Sequence, residues 1–167
     1  MKKIFQMSAK TFYGFEDILC KELKKINAID VIKSNRIVHF KGDKELMYKA
    51  NLCLRTALKI LLPLENKKVL NYEALYKFAL DFEWENYFHK DSSFYINSVC
   101  FGKYFTHSLY VSQRVKDGIV DRFRKLKGIR PAVEKFKPDI YIEVHIYKKS
   151  STFSLNSSGK NINQRGN

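Results

Sequence analysis

FEDILCKELKKINAIDVIKSNRIVHFKG, residues 15–42, changes its hydrophobic period halfway along. The first half sets Phe15, Leu19, Leu23 and Ile26 three and four residues apart, which is one stripe of an α-helix. Glu16 and Asp17 fall in the first turn of that helix and Lys24 and Lys25 in the last, so each charge opposes the helix dipole. The second half, DVIKSNRIVHFKG, reads as two short strands meeting near Ser34 and Asn35. Upstream, KIFQMSA reads as a further strand. Downstream, Asp43 is placed as an N-cap with Leu46, Met47, Ala50 and Leu54 behind it, and TALKILLPLE reads as a closing strand. The order β-α-β-β-α-β predicts a ferredoxin-like sandwich over residues 1–62.

The remainder continues the α+β pattern over residues 63–157. NYEALYKFALDF puts Leu75, Phe78, Ala79 and Phe82 on one helical face, with WENYF as a further turn. SFYINSVCF reads as a buried strand. SQRVKDGIVDRFRKLKG, residues 112–128, is the clearest helix of the chain, with Val115, Ile119, Phe123 and Leu126 as its core stripe and Gly128 as its stop. DIYIEVHIY alternates strictly, with Ile140, Ile142, Val144 and Ile146 facing one way, and KKSS turns it into a partner strand, STFSLN.

The charge narrows the function. Thirty-one Lys and Arg against seventeen Asp and Glu give the 167-residue chain a net charge of +14. Such a surplus favours a polyanionic partner, nucleic acid first and an anionic membrane surface second. The surplus is clustered: residues 1–62 carry +7, residues 63–102 carry −2, residues 103–137 carry +7 and residues 138–167 carry +2. The three cysteines are scattered and odd in number, so no disulfide framework or zinc spacing follows. ALKILLPL is too short to span a bilayer, and the N-terminus lacks the apolar run of a signal peptide, so a reduced cytoplasmic setting is expected.

Little in the chain asks for catalysis. There is no G-x-G-x-x-G, and SSGKN lacks both the upstream Gly and the following Ser or Thr of a P-loop. The four histidines have no ligand spacing. No catalytic residue, metal ligand or cofactor site is assigned. RNA contacts are assigned instead to the basic helix and its flanks: Lys103 and Tyr104 before it, Arg114, Lys116, Arg122 and Lys125 on it, Arg130 after it, and Lys160 and Arg165 in the tail. Arg114, Gly118, Arg122 and Lys125 fall on one flank of the apolar stripe, which is expected to be solvated apart from any RNA. Gly118 either admits a phosphate backbone or packs closely on a strand. Tyr104, Phe105 and Tyr110 either stack on bases or belong to the core.

FYGFEDILCKEL, NLCLRTALKIL with Arg55, VKDGIVDRF, IRPAVEKFKPDIYIEVHI and LNSSGKNINQRG occur in an order and spacing that together cover nearly the whole chain. In this the chain resembles the N-terminal half of bacterial THUMP-domain methyltransferases that modify guanine N2 of ribosomal RNA and are often labelled adenine-specific DNA methylases. The resemblance implies a ferredoxin-like unit followed by a THUMP domain, an RNA-binding module. It further implies that residues 158–167 link to a methyltransferase domain absent from this chain, which would bind S-adenosylmethionine. Ile162 stands where that family's linker has Leu, and Asn167 where it usually carries an aromatic. The expected function is an RNA-binding substrate-recognition module, not itself an enzyme, with ribosomal RNA as partner. The alternatives are a freestanding nucleic-acid-binding protein and a small enzyme of unrelated chemistry.

Overall fold

The computed structural model describes residues 3–89 and 91–157; Lys160 and Arg165, and the expected linker, lie outside them. The described residues fall into two compact units divided after Pro63, with Asn156 and Ser157 returning to the first.

The first unit runs β1 (Phe5–Thr11), α1 (Glu16–Lys25), β2 (Ile29–Ser34), β3 (Ile37–Gly42), α2 (Lys44–Cys53) and the first part of β4 (Ala57–Lys68). Its strands lie in the order β2-β3-β1-β4, with β1 antiparallel to both β3 and β4. This is the predicted ferredoxin-like arrangement. β1, buried on both faces from Met7 to Ala9, and the helical stripes meet in one core: Met7, Ala9, Leu19, Leu23, Val38 and Phe40 are fully buried. Asp43 caps α2 as read, its carboxylate accepting from Leu46 N at 2.8 Å. Two expectations fail at helix ends. Phe15 is the N-cap of α1 and is 44% exposed, and α2 stops at Cys53, leaving Leu54 as its C-cap. Two carboxylates of α1 secure nearby loops. Glu16 accepts from Gly14 N and Arg36 N, and Glu22 accepts from Arg55 N and Thr56 N.

The second unit holds the rest of β4, then α3 (Tyr72–Asp81), a 3-10 turn (Trp84–Asn86), β5 (Ser93–Phe101), α4 (Ser108–Lys127), β6 (Ala132–Val133), β7 (Ile140–Tyr147) and β8 (Ser150–Asn156). The strand order is β4-β8-β7-β5-β6. β5 is parallel to β7 over eight residue pairs, from Phe94 with Ile140 to Phe101 with Tyr147, and β7 turns back into antiparallel β8. Ile140, Ile142, Val144 and Ile146 are buried, as their alternation predicts. Phe153 of β8 stacks on Phe78 of α3 at 4.0 Å between centroids, and Trp84 closes the cluster, donating its indole N–H to Ala79 O at 2.7 Å.

Three readings of the basic helix change. It begins at Ser108, four residues earlier than predicted, so Tyr110 lies on the helix and not in a loop. Leu126, expected in the core stripe, is 54% exposed: α4 is twice the length of α3, and its last turn carries no buried residue beyond Phe123. Gly118 faces neither a phosphate nor a strand. A Cβ there would stand 2.6 Å from Ala79 Cβ and 2.9 Å from both Leu80 N and Tyr76 O, so it is the point where α4 meets the backbone of α3.

Candidate nucleic-acid interface

Among the described residues no helix is long and apolar enough to cross a membrane, and no cluster of His, Cys, Asp or Glu could hold a metal ion. The chemistry on offer is cationic, and the structure sorts the cations of the second unit into distinct environments.

Arg122 is spent on the fold. Its Nε and Nη2 donate to the two oxygens of Glu85, each at 2.8 Å, and Nη1 donates to Leu80 O at 2.9 Å. The two side chains are only 17% and 22% exposed. The Arg122 guanidinium holds the Glu85 carboxyl below the usual carboxylate range. The expected solvated arginine is thus a two-pronged clamp from α4 to the segment after α3. Arg114 is drawn in too. It lies over the Tyr76 ring at 4.5 Å and reaches Asp117 at 3.3 Å and Glu73 at 3.6 Å. Tyr76 in turn donates its hydroxyl to Asp121, which pushes the phenol up to about 12. Lys116 pairs with Asp117 at 3.4 Å.

Past these residues Arg124, Lys125, Lys127 and Arg130 are exposed and form no salt bridge among the described residues; Lys127 acts on Glu85 only through its field, helping to lower that carboxyl. Gly128, at φ +64, ends the helix, and its N–H closes on Arg124 O. Arg124 and Arg130 join Arg114 and Lys116 around a polar hollow of about 350 Å³ that also holds Asp117 and Asp121.

Lys103 and Tyr104 lie elsewhere. The β5–β7 register sets Phe101 beside Tyr147, so the chain leaving β5 meets the β7–β8 turn. Lys148 N donates to Phe101 O at 2.7 Å, and Val69 N donates to Lys149 O at 2.9 Å, which brings the end of β4 alongside. The result is a cleft of about 820 Å³ lined by Lys68, Lys103, Tyr104, Tyr147, Lys148 and Lys149, with no carboxylate in its lining. Tyr104 is half-buried, with Lys103 Nζ 5.5 Å and Lys149 Nζ 5.3 Å from its ring centroid. Lys148 Nζ lies 5.4 Å from the ring of Tyr147, which is 55% exposed. The next residue along, Phe105, is 1% exposed and packs edge-on against Tyr72, so it belongs to the core and anchors Tyr104. The sequence named Lys103 and Tyr104 but not Lys68, Tyr147, Lys148 or Lys149.

An α+β protein with a ferredoxin-like unit, a second unit built on parallel β5 and β7, and exposed lysine and arginine clusters falls in the class of polyanion-binding modules. Family comparison makes this specific. Residues 70–156 match the THUMP domain, and residues 6–61 match the RlmL ferredoxin-like domain. The chain belongs to the THUMP domain family. Among solved structures it is similar to a protein described as a predicted N6-adenine-specific DNA methylase from Listeria monocytogenes str. 4b F2365, at 25% identity and TM-score 0.78, covering 92% of this chain and 40% of that one. It is similar to SMU.472, assigned as a methyltransferase and complexed with SAH, at 23% identity and TM-score 0.78, covering 93% and 42%. A more distant likeness, at 11% identity and TM-score 0.56, is to a 4-thiouridine synthetase in complex with RNA and bound ATP, covering 94% and 43%. The chain therefore spans about two-fifths of the length of each of these proteins.

Proposed function

We propose that this chain is the RNA-binding substrate-recognition part of an S-adenosylmethionine-dependent ribosomal RNA methyltransferase acting in the cytoplasm. Its catalytic domain lies outside residues 1–167, and residues 158–167 form the linker toward it. The observation that carries the reading is the exposed cationic end of α4, where Arg124, Lys125, Lys127 and Arg130 form no salt bridge among the described residues. Cations left exposed in this way are available to phosphates. Membership of the THUMP family supports RNA as the polyanion, and the length of the methyltransferase neighbours supports a further domain. Lys125 and Arg130, with Arg124 and Lys127 beside them, are the primary phosphate contacts on this face, and Lys116, paired with Asp117, is a secondary one. Arg114 contributes from its rim, and Lys160 and Arg165 add charge from the tail. Arg122 acts behind them as the clamp that positions α4. S-adenosylmethionine belongs to the catalytic domain and not to this chain.

Titrating the 167-residue chain with ribosomal RNA fragments at several salt concentrations tests the reading. Replacing Lys125 and Arg130 together by Ala weakens binding to all sequences alike and lowers the log–log salt slope by about 1.4, at roughly 0.7 per single-strand contact. Unchanged affinity and slope overturn this face as the interface. Calorimetry of the chain with S-adenosylmethionine shows no heat of binding; stoichiometric binding overturns the division of labour between the domains.

A further inference from the structure

We infer that the cleft between the end of β5 and the β7–β8 turn is a second RNA site, one that takes an unpaired nucleotide segment and not a duplex. The inference rests on the RNA reading above and assigns it a distinct place and strand state.

The chemistry of the lining selects this ligand. Lys68, Lys103, Lys148 and Lys149 line one cleft that has no carboxylate in its lining, so like charge is concentrated there. A ligand carrying several phosphates relieves that repulsion; a neutral or cationic one does not. The lysines share the cleft with Tyr104 and Tyr147, and three of the four ammonium groups lie 5.3–5.5 Å from a tyrosine centroid. Beyond seating the ammonium groups, phosphate binding gives no use for these rings. A flat base does, because stacking on an aromatic face is the recurring way that proteins hold single strands, with cations tracking the backbone beside it. A duplex presents phosphates but keeps its base faces stacked inside, so the tyrosines would have nothing to meet.

The walls are set before any ligand arrives. The backbone bonds of Lys148 N to Phe101 O and of Val69 N to Lys149 O tie the β7–β8 turn to the ends of β5 and β4. Phe105 fixes the segment bearing Lys103 and Tyr104 by burying its own ring. Gly102, at φ +113, is the hinge of the close approach: a Cβ there would stand 3.0 Å from Lys148 Cα. The volume of about 820 Å³ lies within the roughly 300–1,000 Å³ of ordinary ligand sites, room enough for nucleotides.

The cleft differs from the α4 end in a way an experiment can read. Fluorescence anisotropy is measured on the 167-residue chain with a labelled unstructured RNA 12-mer and with a blunt RNA duplex of the same length. Tyr104→Leu weakens 12-mer binding about fivefold or more while leaving its salt slope near wild type, because stacking releases no counterions. Lys148→Ala with Lys149→Ala weakens the 12-mer and lowers its slope by about 1.4. Neither change alters duplex affinity by more than about twofold. Thermal melts establish that each variant is folded. If Tyr104→Leu does not fold, Tyr147→Ala, at an exposed ring, carries the same expectation. A wild-type chain that binds neither RNA refutes the RNA reading itself. A wild-type chain that binds both, with cleft variants indistinguishable from it or equally weakened on both, overturns the cleft as a single-strand site and leaves the RNA reading standing.

Discussion

Along the middle of α4, Arg122 gives three N–H groups to Glu85 and Leu80, and Arg114 lies between Glu73, Asp117 and the Tyr76 ring. In the cleft, four lysines have no carboxylate in the lining, and three of them rest against tyrosine faces. The two regions look alike as counts of positive charge. They differ in what neutralises it: on α4 part of the charge is consumed in holding two helices together, whereas the cleft lining offers its lysines tyrosine rings and no carboxylate. Arginine suits the first role because its planar fork matches a carboxylate with two bonds, and lysine suits the second as a compact point charge. Formal charge along a sequence therefore overstates one surface and understates the other.

Substitutions sharpen this contrast, beginning with the largest effect. Gly118→Ala forces a methyl against Ala79 Cβ and the backbone of Leu80 and Tyr76, none of which is the free end of a flexible chain. The gain in helix propensity of about 1 kcal/mol does not offset that overlap, and a net loss of about 2–3 kcal/mol is expected in chemical denaturation. Arg122→Ala follows. It leaves the part-buried Glu85 and the Leu80 carbonyl without their donors and should cost about 2 kcal/mol. This reverses the expectation of a solvated arginine whose loss the fold would hardly register. The pH dependence carries the same signature. Glu85 has its folded value lowered, so its contribution is complete above the ordinary value of 4.5 and is lost as pH falls through the lowered one. Acid titration of Arg122→Ala should show a shallower fall in that range than the unmodified chain. An Arg122→Ala chain as stable as wild type would erase the contrast between the regions.

Tyr76→Phe comes next, at about 1 kcal/mol, since it removes the hydroxyl bond to Asp121 from a half-exposed site. The phenol of Tyr76 is raised from 10 to about 12, so its contribution is whole below pH 10 and disappears as pH rises through about 12. Alkaline melts of wild type and Tyr76→Phe should converge in that window. The smallest effect belongs to the cleft: Lys148→Ala with Lys149→Ala should shift stability by less than about 0.5 kcal/mol, because neither ammonium has a carboxylate partner among the described residues. A large loss there would mean that these lysines, like Arg122, serve the fold.

What could be read in advance follows local signals. α2 and α3 begin at Asp43 and Asn71, whose side chains accept from Leu46 N and Ala74 N, and both starts were visible as periodic stripes. α4 begins after His107, which makes no side-chain cap, and its first turn has no acidic residue, so its true start carried no flag. β6, two exposed residues in parallel with β5, is too short to show a period. The cleft was half-visible for a different reason. Lys103 and Tyr104 sit in the densest basic block, but Lys68 comes from the block of net −2, and Lys148 and Lys149 from the block of +2. Only the parallel register of β5 with β7 brings residues 101 and 147 together, and that register is a long-range fact no window of sequence contains. Arg122 is a like case, since its partner Glu85 lies 37 residues away, outside any local window.

The two-residue turn from Tyr147 to Ser150 opens with Lys148 at φ +56, a left-handed conformation in which glycine is the unstrained choice. An L-residue carrying a side chain there costs about 1 kcal/mol. The molecule is thus held slightly below its own attainable stability at the tip of the proposed binding cleft, and robustness and recognition are set against each other at a single residue. Lys148→Gly separates the two quantities: the melting temperature should rise by roughly 2–4 °C while affinity for single-stranded RNA falls, so that a screen for thermal hardiness alone would select against the site.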